Sequence, residues 1–278
     1  MCQLCFAKTS SWNTRRGFLL AAGAAAATPV LAQVDVGKSS TLSNLVPAGQ
    51  LENAAGQQYS QLLAQARAKN ALAGPSDERL QLLRAIARKL IPFCTPWNDR
   101  AAKWQWEINL IGSKQINAFC MPGGKIAFFT GILDQLKLTD DEAAMVMGHE
   151  MAHALREHAR ARIAKSQGTG ALLSLGAQIA GLGRVGDLAA NVGTQLLTLK
   201  FSRDDEIEAD LVGLELAARG GYDPDASVTL WKKMAQASGG KGGLSFLSTH
   251  PTGPDRITRL QANVPKVRAL YEKASGKR

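Results

Sequence analysis

The chain has 278 residues, 45% hydrophobic and 20% charged, a balance that is typical of a globular protein and excludes an intrinsically disordered one. Its formal net charge is +10, and a chain beginning at Gln33 would carry +7, because Lys8, Arg15 and Arg16 precede it without any acidic residue. The basic run 156–165 contains no aromatic residue and the chain shows no nucleic-acid motif, so we expect a solvated basic face and no nucleic-acid partner; an anionic partner for this face is the alternative.

The first 32 residues resemble a twin-arginine export signal. Residues 14–20 place the paired arginines before apolar residues, an Ala- and Gly-rich stretch follows, and residues 30–32 offer small side chains to signal peptidase. We therefore expect a signal peptide (1–32) that is cleaved near Ala32 and a protein that resides in the periplasm. An uncleaved segment that anchors the protein in the inner membrane is the alternative, although the uncharged stretch after the paired arginines is short for a membrane span.

The residues after the signal predict a lead-in and two helices. Residues 33–50 are rich in Ser, Gly and other polar residues and predict a flexible lead-in. Apolar residues then recur at helical spacing over 51–69 and 76–91. Gly74-Pro75 separates the two helices, and Ser76 is the candidate N-cap of the second.

Three short stretches predict a small antiparallel sheet. Hydrophobic and polar residues alternate over 103–111, and 115–120 and 125–130 flank a turn at Pro122-Gly123-Gly124. A short helix, 131–138, is expected to follow.

Cysteines are few. Cys2 and Cys5 would leave with the signal, and an oxidising compartment would allow Cys94 and Cys120 to pair, although the spacing alone does not choose between a disulfide and free thiols.

A candidate metal-binding motif lies on a long predicted helix. A capping box at Thr139 marks the start of this helix, which is predicted to run to Ser166. His149 and His153 are four residues apart, so both imidazoles leave one helix face and can bind one metal ion. Glu150 lies beside them and could take a proton from a metal-bound water.

A glycine-containing, uncharged run, residues 168–183, follows this helix. We interpret residues 168–199 as a mobile helical insertion near the active face; ordinary core helices with close Gly contacts are the alternative.

A second predicted helix offers a further ligand, because a catalytic zinc bound by two histidines commonly takes a carboxylate as its third protein ligand. Glu206 is the best candidate, near the start of a helix that runs to about Arg219. Glu206 and Asp210 share one face, whereas Glu208 points elsewhere. Asp210 could therefore accept the free ring N–H of a ligand histidine. A solvated helix start, favoured by the helix dipole, is the alternative.

These stretches occur in the order found in a known family. Over about residues 104–260 the chain resembles the BepA-like and HtpX-like zinc metalloendopeptidases, gluzincin-type relatives of the CAAX prenyl endopeptidases. The matching elements are Asn117-Ala118-Phe119, Pro122-Gly123-Gly124, Thr130-Gly131-Ile132-Leu133, His149–His153, Ser202-Arg203, Glu206–Asp210, Gly221-Tyr222-Asp223-Pro224, Thr249-His250-Pro251 and Arg256.

The resemblance implies an α+β, mainly helical, zincin-like metalloprotease fold with the small antiparallel sheet packed on the metal-binding helices. One domain would occupy 51–278. Its expected parts are N-terminal helices (51–100), the sheet with a short helix (101–138), metal-site helices that include the insertion (139–219), and C-terminal helices with the His250 loop (220–278).

The resemblance also implies roles for single residues. One Zn²⁺ per chain would be held by three ligands, with Glu150 as the general base that acts on zinc-activated water and Asp210 behind a ligand. His250 could cover the open position of the zinc or steady a reaction intermediate, and a hydrogen bond that anchors its loop is the alternative. The implied zinc ligands are His149, His153 and Glu206.

The sequence also gives expectations for three further residues. His158 is expected to be structural, because it lies off the ligand face, five residues past His153. Arg256 could donate to a substrate carbonyl or to a neighbouring acid, and Tyr222 is expected to pack.

The expected function is zinc-dependent hydrolysis of unfolded or misassembled cell-envelope proteins. Substrate would lie extended along an edge strand near residues 117–120, and a peripheral contact with the membrane is compatible with this role. The alternative is a periplasmic chaperone or assembly factor whose zinc site is latched by the His250 loop and the insertion. The membrane spans and tetratricopeptide repeats of some relatives are not expected here.

Overall fold

The structure is a computed structural model that describes residues 34–167, 196, 199–238, 245–250 and 254–276. These residues belong to one compact unit, 32–278. The predicted signal peptide and nearly all of the glycine-containing insertion lie outside the described residues.

Helices dominate the described residues, and the sheet is small, as the predicted fold class requires. No helix in these ranges combines the length and the apolar character that a membrane crossing needs. The strands are β1 (Glu107–Ile111), β2 (Ala118–Met121) and β3 (Lys125–Phe129). The helices are α1 (Ala48–Ala68), α2 (Glu78–Leu90), α3 (Thr130–Leu136), α4 (Asp140–Leu155), α5 (His158–Gln167), α6 (Arg203–Arg219), α7 (Ala226–Ser238), α8 (Ser245–Thr249) and α9 (Pro254–Ser275).

The sheet is mixed, so the prediction of an antiparallel sheet was wrong. Its strand order is β1-β3-β2, with β2 antiparallel and β1 parallel to β3. The link from β1 to β2 crosses the end of β3, where the N–H of Gly131 donates to the carbonyl of Ser113 at 2.8 Å. The sequence suggested neighbouring pairs because consecutive strands usually pair, and no residue pattern marked the crossing.

The predicted turn between β2 and β3 is confirmed. Gly123 and Gly124 have φ values of +84° and +76°, the left-handed region that residues with a Cβ rarely adopt. Two consecutive residues of this kind let β3 fold back on β2.

The first strand begins at Glu107, four residues later than predicted. The preceding residues, Asp99–Lys103, form a 3-10 helix, and Trp104 and Trp106 follow it with their rings 5.3 Å apart. The Trp104 indole N–H donates to Glu52 of α1 at 3.0 Å. The tryptophan pair therefore packs and joins α1 to the sheet.

The predicted long helix is broken in two. Its capping box is confirmed, because Thr139 and Glu142 exchange side chain–backbone hydrogen bonds at the start of α4. The break follows Leu155, where Glu157 adopts a left-handed φ of 60° and its carboxylate pairs with Arg100 and Arg160. Sequence periodicity did not reveal the break because one of these partners lies far away in the chain.

The N-cap of helix α2 lies one residue later than predicted. Asp77, not Ser76, is its N-cap, and the Asp77 carboxylate accepts from the backbone N–H groups of Arg79 and Leu80 at 2.9 and 3.2 Å.

Residues 34–46 pack on the domain, in contrast to the predicted flexible lead-in. Val34 is buried, and its N–H donates to the Glu215 carboxylate at 2.9 Å. Arg156, just past α4, donates to the carbonyl of Gly37 at 3.0 Å. Hydrogen bonds from α6 and from the end of α4 therefore fix this segment.

Helices α4 and α6 make the closest helix contact around the site. A Cβ at Gly148 would lie 2.6 Å from the Gly213 carbonyl oxygen, and one at Gly213 would lie 2.5 Å from the His149 nitrogen. Only glycine permits this approach, which brings the motif of α4 against the acidic start of α6.

Candidate metal centre

The six predicted site residues converge between three helices. Each is buried, although all are ionisable. Buried ionisable groups are costly unless they pair with one another or bind a metal, so the cluster requires an explanation. Helix α4 supplies His149, Glu150 and His153, and α6 supplies Glu206 and Asp210. The sixth residue, His250, directly follows α8.

The three predicted ligands present their donor atoms to one point. The Nε2 atoms of His149 and His153 are 3.1 Å apart, and each lies 3.5 Å from a carboxylate oxygen of Glu206. Ligands at the usual zinc distances in a tetrahedron are roughly 3.3–3.6 Å apart. The spacing of these donors therefore suits a zinc-sized ion.

His250 is a fourth donor in the same group. Its Nδ1 lies 3.0 Å from Glu206 and 3.4 Å from the Nε2 of His149, while its Nε2 is 3.6 Å from Glu150. The four candidate ligand atoms all lie within 4.8 Å of one another. This geometry places the His250 ring beside the three predicted ligands, and its contact with Glu206 is compatible with both predicted roles of His250.

Asp210 and Arg256 lie directly behind the donors. The Asp210 carboxylate is 3.0 Å from the Nδ1 of His149 and receives two hydrogen bonds of 2.7 Å from Arg256. Arg256 also lies 2.7 Å from Glu206 and sits 3.5 Å from the ring centroid of Trp231. Arg256 therefore pairs with acids, which decides between the two partners that the sequence left open.

These contacts control the ionisation of both acids. Burial alone would raise the pKa of Asp210, but Arg256 and His149 outweigh it and hold that pKa below its usual value. Burial likewise opposes ionisation of Glu206, yet His149 and His250 lower its pKa well below the ordinary value. Both side chains are thus held as carboxylates.

Glu150 differs from these two acids. Burial raises its pKa above the ordinary value and outweighs the nearby histidines. Its Oε1 has no hydrogen-bond partner among the described residues, and the backbone N–H of Cys120 donates to the carboxylate. Glu150 therefore keeps one oxygen available for proton transfer.

The charges also suit a divalent cation. Three buried acids, Glu150, Glu206 and Asp210, share the guanidinium of Arg256 as their fixed counter-charge, which leaves a deficit of positive charge around the donors. Donor type, donor spacing, this deficit and the unpartnered oxygen of Glu150 all fit zinc.

Several neighbours of the site were not found from the sequence. Phe201 stacks on His153 at a centroid distance of 3.9 Å, and Phe246 stacks on His250 at 4.3 Å. His158, expected to be structural, lies with its Nδ1 2.9 Å from the Nδ1 of His153. The two phenylalanines carried no signal beyond closeness in sequence to a motif residue, whereas His158 was expected off the ligand face because the helix was predicted to be continuous.

A cleft opens beside the cluster along β2. Because the N–H of Phe129 donates to the carbonyl of Asn117, residues 117, 119 and 121 pair with β3, and Ala118 and Cys120 turn their backbone groups to the other side. β2 is an edge strand of the sheet. The cleft is lined by residues that include Asn117, Ala118, Phe119, Cys120, Met121, Glu150, His153, Phe201 and His250.

The two cysteines in the described part of the chain are free and buried. Burial raises the pKa of the Cys94 thiol to about 12. Cys120 lies on β2 beside Glu150, and burial raises its pKa as well.

Comparison with known proteins links this site to one family. The profile described as Peptidase family M48 matches residues 79–264. The mitochondrial metalloendopeptidase OMA1 of Arabidopsis thaliana is 41% identical over 160 residues, 57% of this chain and 32% of that protein. The metalloprotease LoiP of Escherichia coli is 31% identical over 153 residues, 54% of this chain and 59% of LoiP.

A third relative extends the match. The beta-barrel assembly-enhancing protease of Escherichia coli is 30% identical over 209 residues, 70% of this chain and 41% of that protein. The chain spans between about a third and a half of the length of the mitochondrial relatives it matches. The relatives include both OMA1 proteins and this protease, so they support the broad family more directly than the BepA-like and HtpX-like branch. The matched range contains all six predicted site residues, and the chain belongs to peptidase family M48.

Proposed function

We propose that this protein is a zinc metalloendopeptidase in which three residues hold the metal and Glu150 is the general base. The observation that carries the proposal is the buried group of donors at tetrahedral spacing, with the unpartnered oxygen of Glu150 beside it. The proposed zinc ligands are His149, His153 and Glu206.

The residues of the chain divide the work of peptide hydrolysis. A bound zinc ion would polarise the scissile carbonyl and lower the pKa of water towards about 7. Glu150 takes a proton from the attacking water and returns it to the leaving amine nitrogen, and its raised pKa suits both steps. Arg256 donates hydrogen bonds to Asp210 and fixes its position. Asp210 in turn orients the ring of His149 so that its Nε2 is available to the metal.

The substrate would lie extended along β2. Ala118 turns its backbone towards the cleft, and Glu150 lies at the same edge. Pairing through the backbone selects for an extended, unfolded segment more than for particular side chains. This mode suits unfolded or misassembled proteins. The name of the beta-barrel assembly-enhancing protease supports a link between proteolysis and protein assembly, and the name of LoiP supports metal-dependent proteolysis.

We also propose a periplasmic location, on the strength of the twin-arginine-like N-terminus. An uncleaved N-terminal anchor in the inner membrane is the alternative. Fractionation of cells that express the full chain, followed by N-terminal sequencing, separates the two, because cleavage near Ala32 leaves Gln33 as the first residue.

Glu150→Gln tests the proposed chemistry. The amide cannot accept the proton, so zinc content should match the wild type while casein cleavage falls by at least about a hundredfold. Glu78→Gln, an exposed change of the same kind on α2, is the matched control and should leave both unchanged. Cleavage by Glu150→Gln at the wild-type rate would remove Glu150 as the base, and a purified chain that takes up no zinc would end the whole proposal.

The contacts of His250 favour a resting state in which this side chain blocks access to the donor group. His250 occupies the fourth corner of the donor group, where the reacting carbonyl must approach. We expect His250→Ala to keep its zinc and to cleave casein faster than the wild type. Slower cleavage would instead make His250 a donor to the reaction.

The second candidate function is a chaperone or assembly factor with a mostly inactive zinc site. In this alternative His250, whose Nδ1 lies 3.0 Å from Glu206, would keep the site closed. Its discriminating test is Glu150→Gln, because suppression of aggregation of an unfolded client would survive this change and proteolysis would not.

A further inference from the structure

One buried histidine next to the metal centre has no part in the proposed chemistry. The Nδ1 of His158 lies 2.9 Å from the Nδ1 of His153, and its Nε2 lies 3.4 Å from a carboxylate oxygen of Glu208. His158 therefore stands between a proposed ligand and an acid that points away from the donors. No other hydrogen bond of the Nδ1 of His153 is present among the described residues.

We propose that His158 is a positioning residue that, together with Glu208, fixes the ring proton of His153 on Nδ1 and leaves its Nε2 free for the metal. This inference rests on the proposed zinc site. It concerns which nitrogen of His153 carries the proton, a property that spacing in the sequence does not determine.

The order of protons follows from the acceptor at one end. A carboxylate such as Glu208 only accepts, so the nitrogen that faces it, Nε2 of His158, must carry a proton. A neutral His158 then has a lone pair on Nδ1, which accepts the Nδ1–H of His153. The Nε2 of His153 then keeps its lone pair, which points at the candidate ligand atoms of His149 and Glu206. The opposite order would set a lone pair of His158 against the carboxylate.

The acid at the end of this chain is itself held in place. Arg156 donates from Nε to Glu208 at 2.8 Å and anchors its other end on the carbonyl of Gly37 at 3.0 Å. Arg156 is buried and Glu208 is half-buried. The Glu208 carboxylate is thus fixed in position and kept ionised by a neighbouring cation, as an orienting acceptor needs to be.

The break between α4 and α5 makes the contact geometrically available. In a continuous helix, a residue five positions on is rotated by about 140° from its starting face. The left-handed turn at Glu157 ends α4 and returns the ring of His158 to His153. Both proposed ligand histidines of α4 are then oriented through Nδ1. Asp210 contacts the ring of His149 directly, and Glu208 acts on His153 through a second imidazole.

A matched pair of variants separates hydrogen bonding from packing. His158→Phe keeps a ring of similar size but has no acceptor for the Nδ1–H of His153. His158→Asn has a smaller side chain whose oxygen can take the place of Nδ1. We expect zinc affinity, measured on the purified full chain by competition with a chelator, to fall about 10- to 100-fold in His158→Phe. His158→Asn should recover most of that loss, and its cobalt-substituted form should keep the wild-type absorption spectrum.

The results that overturn the inference are distinct from failure of the proposed function. Wild-type zinc affinity in His158→Phe, or an equal loss in both variants, would overturn the positioning role while the zinc site stands. A wild-type chain that binds no zinc would overturn both.

A measurement on the wild type covers the case in which His158→Phe does not fold. Nitrogen-15 NMR of the zinc-loaded protein should show His158 protonated on Nε2 and His153 on Nδ1. A proton on Nδ1 of His158 would refute the proposed order.

Discussion

The glycine contact between α4 and α6 gives the sharpest prediction about the metal centre. In Gly213→Ala the new Cβ would lie 2.5 Å from the backbone nitrogen of His149 and 2.7 Å from the carbonyl carbon of Gly148. Both obstacles are backbone atoms, so no side-chain rotation relieves the clash. The helices must separate.

The size of this separation follows from the distances. To reach an ordinary contact of 3.4 Å, the backbone of α6 must withdraw from α4 by about 0.9 Å. Asp210 lies one turn before Gly213 and Glu206 two turns before it, so both shift with the helix. Metal–ligand distances tolerate only about 0.2 Å. We therefore expect a loss of about 1–3 kcal/mol in the free energy of unfolding of the zinc-free protein and a loss of zinc affinity of at least roughly tenfold.

Thermal unfolding with and without zinc measures both effects, because the stabilisation by a ligand reports its affinity. Gly56→Ala in α1 is the matched control, since a Cβ there meets no atom within 4 Å. This control should raise stability by up to about 1 kcal/mol and leave zinc affinity unchanged. A Gly213→Ala protein with wild-type stability and wild-type zinc affinity would refute the reasoning.

Three further predictions follow from individual contacts. Arg256→Met should cost the zinc-free protein about 3–5 kcal/mol in urea unfolding, because Glu206 and Asp210 lose their buried counter-ion; Arg256→Lys should recover only part, and a full recovery would contradict a need for the paired guanidinium hydrogen bonds. Thr139→Ala should cost about 1 kcal/mol through loss of the α4 cap, with cleavage per folded molecule unchanged, and an unchanged melting temperature would argue against the cap. Burial raises the pKa of the Cys94 thiol to about 12. The contribution of this protonated thiol to the free energy of unfolding is therefore complete below pH 9 and is lost as the pH rises from 9 towards 12. In reduced, folded protein at pH 8 iodoacetamide should therefore leave Cys94 unmodified until denaturant is added, and rapid labelling would refute this protection.

The parts of the site that the sequence revealed are those fixed by local geometry. Helical spacing alone puts the side chains of His149 and His153 on one face, and the same spacing puts Glu206 beside Asp210. The capping boxes of α4 and α6 are local as well, each formed by residues three positions apart. A pattern of this kind survives whatever surrounds it.

The parts that the sequence did not reveal depend on distant partners. The break after α4 is held partly by Arg100, more than fifty residues away, and the parallel pairing of β1 depends on a link that crosses β3. His250 could be placed near the site by resemblance, yet its contact with Glu206 arises only when α8 packs against α6. The proton order of His153 needs the contact with His158, which a continuous helix would have prevented.

The hydrogen bond between Val34 and Glu215 also sets an order of events in folding. The two residues are 181 positions apart, so Val34 leaves the ribosome long before its partner exists. Residues 34–46 cannot complete their packing until α6 has formed and docked, because a contact this distant in sequence closes late. The segment that follows the predicted export signal is therefore in place only when the helix that carries Glu206 is already in place. If residues 34–46 become resistant to a protease that is added during synthesis, this resistance would report that the helix carrying Glu206 has folded and docked.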